Sequence, residues 1–154
     1  MRMNEVIEEL TVFLRDEAIG RGISIRTELA LGLPRIKGDR VQLQQVVLNL
    51  LLNGMDAMAK ATGRSKEMRV CSRRNDSDEV VVSVEDAGIG LPVEIEGKIF
   101  DPFFTTKPQG IGMGLSISRS IIESHRGRLW AEPRPSGGSV FQFAIPAGPK
   151  GSDD

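Results

Sequence analysis

The sequence predicts an α+β fold: a two-layer α/β sandwich in which about three main helices cover one face of a mixed, mainly antiparallel sheet of about five strands. Three observations lead there. Apolar residues recur at helical spacing in three separate stretches. Between and after these lie short runs that alternate or are β-branched, bounded by turn residues. The chain has 154 residues, 40% apolar and 27% charged, which suffices for one domain with its own core.

The first helix is expected over Asn4 to Ile19, with Val6, Ile7, Leu10, Phe13, Leu14 and Ala18 on one stripe. ISIRTELA, from Ile23, alternates as a strand does, and GLPRIKGD connects it onward. Asp39, with Gln42 three residues later, has the spacing of a capping box. It opens the second helix, Arg40 to about Ala61, the longest and most apolar. MRVCSRR and EVVVSVE are strand-like and are separated by the turn signal NDSD. A glycine- and proline-rich stretch runs from Ala87 to Gly114. Leu115 to Ser124 is the third helix, stopping near Gly127. RLWAE and SVFQFAIP are strands around the turn PRPSGG. One domain is expected over residues 1–147, with a frayed tail over 148–154.

Bulk properties exclude several classes. Twenty basic residues face 21 acidic ones, a net charge of -1, so neither nucleic acid nor an acidic lipid surface is an expected partner. Cys71 is the single cysteine, which rules out a disulfide framework and a cysteine metal cluster and fits a reducing, cytoplasmic compartment. No apolar run approaches the ~20 residues that span a bilayer. No direct membrane contact is expected of this stretch, whether the parent chain is soluble or membrane-anchored.

Three elements carry chemistry. In FFTTKPQGIGMGLSISRS, Gly110, Gly112 and Gly114 alternate with apolar residues and lead into a helix. The P-loop string GxxxxGK[ST] is absent, and the spacing is not the GxGxxG that follows a strand in dinucleotide folds. What remains is backbone N–H groups, unobstructed by Cβ, opening onto a helix N-terminus, which suits an anion; the bland alternative is a flexible loop before a helix. In the long helix, Gln45, Asn49, Asn53, Asp56 and Lys60 form one polar stripe on an otherwise apolar surface. Two asparagines one turn apart suit a Mg²⁺ whose charge is balanced by phosphate better than a solvated face, which would be rich in Lys and Glu. Finally, the strand VSVED ends at Asp86 beside Gly88 and Gly90, where a carboxylate either accepts from an exocyclic amine or simply caps a turn.

Taken together and in order, these strings resemble the ATP-binding catalytic domain of sensor histidine kinases, a family of the Bergerat-fold ATPases and kinases that also holds gyrase, Hsp90 and the mismatch-repair MutL proteins. NLLLNGMDAM resembles the N box, DAGIG the G1 box, FDPFFTTK the F box and GIGMGLSI the G2 box, and GGSVFQFAIP the closing strand. The wording FFTTK is most similar to the nitrogen-regulation and oxygen-sensing kinases. The resemblance implies ATP and Mg²⁺ as cofactors. It makes Asn53 the Mg²⁺ ligand, with Asn49 near the phosphates and Lys107 a point charge on them. It makes Asp86 the acceptor for the adenine amine, with Gly88 and Gly90 admitting the base. Gly110, Gly112 and Gly114, with Leu115, would line the triphosphate in a lid anchored by Phe100, Phe103 and Phe104.

The same resemblance separates kinase from ATPase. In gyrase, Hsp90 and MutL a glutamate one turn before the Mg²⁺ asparagine activates water; here that position is Asn49, which is no base at neutral pH. The implied function is to donate the γ-phosphoryl group to a histidine on a separate phosphoacceptor and dimerisation domain of the same protein, and thence to a response regulator receiver domain. That hairpin is expected outside this stretch, which by itself should be a monomer and inactive alone. His125, followed by Arg126, fits a structural position after the G2 helix rather than the acceptor. Gly54, Ala87, Arg126 and Met113 depart from the usual residues without removing a ligand. Two alternatives stand beside this reading: an anti-sigma-type serine kinase on the same fold, and a module that senses ATP without transferring phosphate.

Overall fold

The computed structural model describes residues 1–59, 66–88, 114–135 and 137–148. Helix α1 spans Met3–Phe13 and α2 Arg15–Gly20; strand β1 is Ser24–Leu29; α3 is Arg40–Ala59; β2 is Glu67–Arg74 and β3 Glu79–Asp86; α4 is Gly114–Ser124; β4 is Arg128–Pro133 and β5 Ser139–Pro146. The five strands form one sheet in the order β1-β2-β3-β5-β4. β1 pairs with β2 in parallel, and the remaining pairs are antiparallel. The expected mixed, mainly antiparallel five-stranded sheet under helices is therefore the observed fold.

Alternation dictates which face is buried. Val70 on β2, Val84 on β3, Phe141 on β5 and Ala131 on β4 lie in one register row. They join Met68, Val80, Val82, Phe143 and Ile145 in the core, against Leu43, Val47, Leu50, Met55 and Met58 of α3. The polar turn before β3 is closed by its own sequence: Asn75 Oδ1 accepts from the Ser77 and Glu79 N–H groups at 3.1 and 2.9 Å.

Two expectations about the first helix are corrected. Leu14, at φ -92° and ψ 0°, interrupts it, so one predicted helix is two. The buried stripe follows the i, i+4 row through Leu10, Leu14 and Ala18, which turns the neighbouring Phe13 outward: it is 72% exposed, not in the core. The capping box is also only half formed. The Gln42 N–H donates to Asp39 Oδ1 at 3.1 Å, but the Asp39 N–H donates to His125 Nε2 at 3.0 Å rather than to the Gln42 side chain. Asp39 thus caps α3 as the sequence indicated, with a distant ring completing the cap.

Candidate functional site

The site is built where α3 crosses the end of β3. Asp86, the last residue of β3, is 1% exposed. Its carboxylate accepts from the Gly88 N–H at 2.9 Å and from the Ser139 N–H, the residue opposite it on β5. Burial pushes its carboxyl up to about 6; the two N–H donors, and the charge of Arg134, oppose that shift. A carboxylate whose charge is so expensive to bury is positioned for something that needs it.

Glycine makes this approach possible at three places. A Cβ on Gly54 of α3 would lie 3.5 Å from Asp86 Cβ, 3.8 Å from its Oδ2 and 2.9 Å from Met68 Sδ. Gly54, adjacent to Asn53, therefore rests directly on Asp86, with the Met68 thioether filling the place of the missing methyl. A Cβ on Gly88 would stand 2.8 Å from the Ala57 backbone, so this glycine is required first by the contact of its loop with α3. Gly138, at φ +101°, would put a Cβ 2.0 Å from the Asp86 carbonyl oxygen. Gly138 and Ser139 support Asp86 from β5, a role sequence reasoning did not give them. The glycine pair before a strand is the signal that marks them.

On α3, Asn49 and Asn53 are both half-buried. Asn49 Nδ2 donates to the Gly114 carbonyl at 3.3 Å and to Ser118 Oγ at 3.2 Å, tying α3 to the first turn of α4. Ser118 is fully buried. No hydrogen bond to another described residue engages the Asn53 side chain. Its neutral amide oxygen is of the kind a hard cation accepts. Asp56, farther along the stripe, pairs with Arg21 at 2.9 Å, which docks α2 on α3. Leu115 packs against the core at the start of α4, and a Cβ on Gly114 would meet open space. The structure thus brings together Asn49, Asn53, Asp86, Gly88, Gly114 and Leu115. Lys60, Gly90, Phe100, Phe103, Phe104, Lys107, Gly110, Gly112 and Met113 lie outside the described residues. His125, beyond the other end of α4, has both ring nitrogens in intramolecular hydrogen bonds. Among the described residues no helix is long and apolar enough to cross a membrane, and no cluster of His, Cys, Asp and Glu could hold a metal.

Known proteins share this fold. Residues 38–149 match the family described as "Histidine kinase-, DNA gyrase B-, and HSP90-like ATPase". The sensor protein FixL of Bradyrhizobium diazoefficiens is 41% identical over 145 residues, which are 94% of this chain and 28% of FixL. The chain thus spans little more than a quarter of that relative. The nucleotide-free catalytic domain of histidine kinase ThkA superposes with a TM-score of 0.83 at 38% identity, covering 96% of this chain and 93% of that one. A structure of ThkA in complex with the response regulator protein TrrA gives 0.79 at 35% identity, covering 99% of this chain and 42% of that one.

Proposed function

Because the chain belongs to the histidine kinase-, gyrase B- and HSP90-like ATPase family, and within it to the histidine kinase catalytic domains, we propose that it binds Mg·ATP between α3, the end of β3 and the start of α4, and donates the γ-phosphoryl group to a histidine supplied by another domain. The observation that carries this reading is the placement of Asp86: a buried carboxylate under Gly54, which is adjacent to Asn53, itself one helical turn from Asn49. Asp86 accepts from the adenine amine. Guanine offers a carbonyl there, so two acceptors would face each other and ATP is preferred over GTP. Asn53 holds Mg²⁺, which supplies charge compensation on the phosphates when bound; Lys107 and the glycines Gly90, Gly110 and Gly112 complete the phosphate and base contacts.

Asn49 is the reason for choosing transfer over hydrolysis. It has no basic group with which to activate water, and its amide is spent on holding α4. The domain therefore keeps its donor until an acceptor is positioned, which is how phosphoryl transfer gains most of its rate. The acceptor is a histidine-bearing helical domain of the same protein, and a response regulator receives the group next. The complex of the similar histidine kinase ThkA with the response regulator protein TrrA supports a response regulator as a partner.

Calorimetric titration with Mg²⁺ and a non-hydrolysable ATP analogue tests the reading. Saturable binding is expected, and Asp86→Asn should weaken it by at least about tenfold, the value of one charged hydrogen bond. Absence of binding by the unmodified domain at millimolar analogue would overturn the proposal in favour of a non-catalytic module.

A further inference from the structure

We propose that His125 is a positioning residue of this site: from the far end of the α3–α4 pair, its imidazole completes the cap of α3 and thereby sets the register of α3 against α4. The inference rests on the reading that nucleotide is held between those helices.

The local geometry is a helix C-terminus closed by backbone hydrogen bonds. The Gly127 N–H donates to the Ile122 carbonyl at 2.9 Å and the Arg126 N–H to that of Glu123 at 3.0 Å, with Arg126 at φ 64°. This closure places His125 immediately after the last residue of α4, with its ring against the start of α3. Nδ1 lies 2.8 Å from the Ile121 carbonyl and Nε2 3.0 Å from the Asp39 nitrogen. A carbonyl only accepts and an amide N–H only donates, so the ring is the neutral tautomer protonated on Nδ1. In a capping box the N–H of the cap residue is satisfied by the side chain three positions on; here His125 takes that place.

Gly38 is the second, independent sign that the fold is arranged around this ring. A Cβ on Gly38 would lie 2.7 Å from His125 Cδ2, 3.0 Å from its Nε2 and 3.1 Å from Leu43 Cδ1. The absent side chain is the space the imidazole occupies. At the opposite end of the pair, Asn49 holds Gly114 and Ser118. α3 and α4 thus run in opposite directions, with polar contacts between them near both ends of α4. The apolar surface between them, which includes Leu43, Leu50, Ile121 and Ile122, favours contact without fixing direction. These polar contacts set the register, and α3 carries Asn49 and Asn53 with it.

The test is the same titration with Mg²⁺ and a non-hydrolysable ATP analogue, run at a temperature where thermal unfolding shows every variant folded. His125→Phe keeps the ring volume but accepts no hydrogen bond. It should weaken binding about fivefold, the scale of one coupled hydrogen bond. His125→Gln, whose amide oxygen reaches toward the Asp39 N–H, should recover most of that loss. Gly38→Ala should weaken binding comparably in the parent, yet add little to His125→Ala, whose ring is gone. A lower melting temperature with unchanged affinity for His125→Phe would make His125 an ordinary helix-end residue and overturn the inference. If that variant does not fold, Gly38→Ala decides: affinity equal to the parent overturns the inference equally. If the parent itself does not bind, the nucleotide reading falls and this role falls with it; if the parent binds and all variants bind alike, only this role falls.

Discussion

Asp86 meets two opposing demands. To accept from an amine it should be ionised, yet burial raises its carboxyl from the ordinary 3.8 to about 6. Its charged form is therefore costlier in the folded chain than in the unfolded one. The group favours folding fully below about pH 4 and progressively less as pH rises to about 6, a difference of about 3 kcal/mol. Two consequences can be measured. Relative to Asp86→Asn, the parent should lose stability between pH 4 and pH 7 by up to that amount in chemical denaturation. Nucleotide affinity should run the other way, falling about tenfold from pH 7.5 to pH 5 as the carboxylate is protonated, while the Asn variant stays flat by comparison. A parent and variant with parallel pH profiles would show that Asp86 does not titrate in this range. On the proposed reading, the residue gives up stability for the sake of ligand recognition.

At the scale of elements, α4 ends on a residue poorly suited to its backbone. The closure after Ser124 requires a left-handed residue, ordinarily glycine, and Arg126 occupies it at φ 64°. Arg126→Gly should stabilise the domain by about 1 kcal/mol, raising the melting temperature by about 3 °C. An unchanged or lower midpoint would mean that the arginine side chain offsets the strain through contacts of its own. The N-terminus of α3 shows what local sequence can and cannot say about such ends. Asp39 and Gln42 announced a cap, and the bond from the Gln42 N–H to Asp39 is there. The returning bond comes instead from His125, 86 positions away. Nothing local could have named that partner. Phe13 is a similar case: its spacing from Leu10 suits a helix stripe, but a turn at Leu14 selects the i+4 neighbour for burial.

For the whole molecule, the proposed division of labour is that this domain holds the donor and another brings the acceptor. The isolated domain should turn over ATP negligibly. With a separate histidine-bearing helical hairpin added, radiolabelled phosphate should appear on the hairpin and not on His125, whose two nitrogens are both engaged. Rapid release of free phosphate by the domain alone would reverse the case made from Asn49. The candidate site was legible to the extent that its parts are periodic or glycine-marked: the Asn49 and Asn53 pair on one helix face, and Asp86 at a strand end before Gly88. Gly138 and Ser139, which hold Asp86 from β5, were not legible as site residues. Strand pairing between β3 and β5 brings them there across more than fifty residues of chain.

By itself the sequence determined the elements and the chemical types they carry. Periodicity of apolar residues follows from 3.6- and 2-residue repeats, and an asparagine pair or a strand-end carboxylate can be read from the same local spacing. The tertiary structure alone decided which groups meet. Gly54 rests on Asp86, Gly88 on Ala57, Asn49 on Ser118 and Gly38 on His125. Each is a contact between distant segments at a few ångströms. Close packing sets such contacts, because only a missing Cβ or a matched donor and acceptor lets two backbones approach so near, and no local pattern encodes its partner.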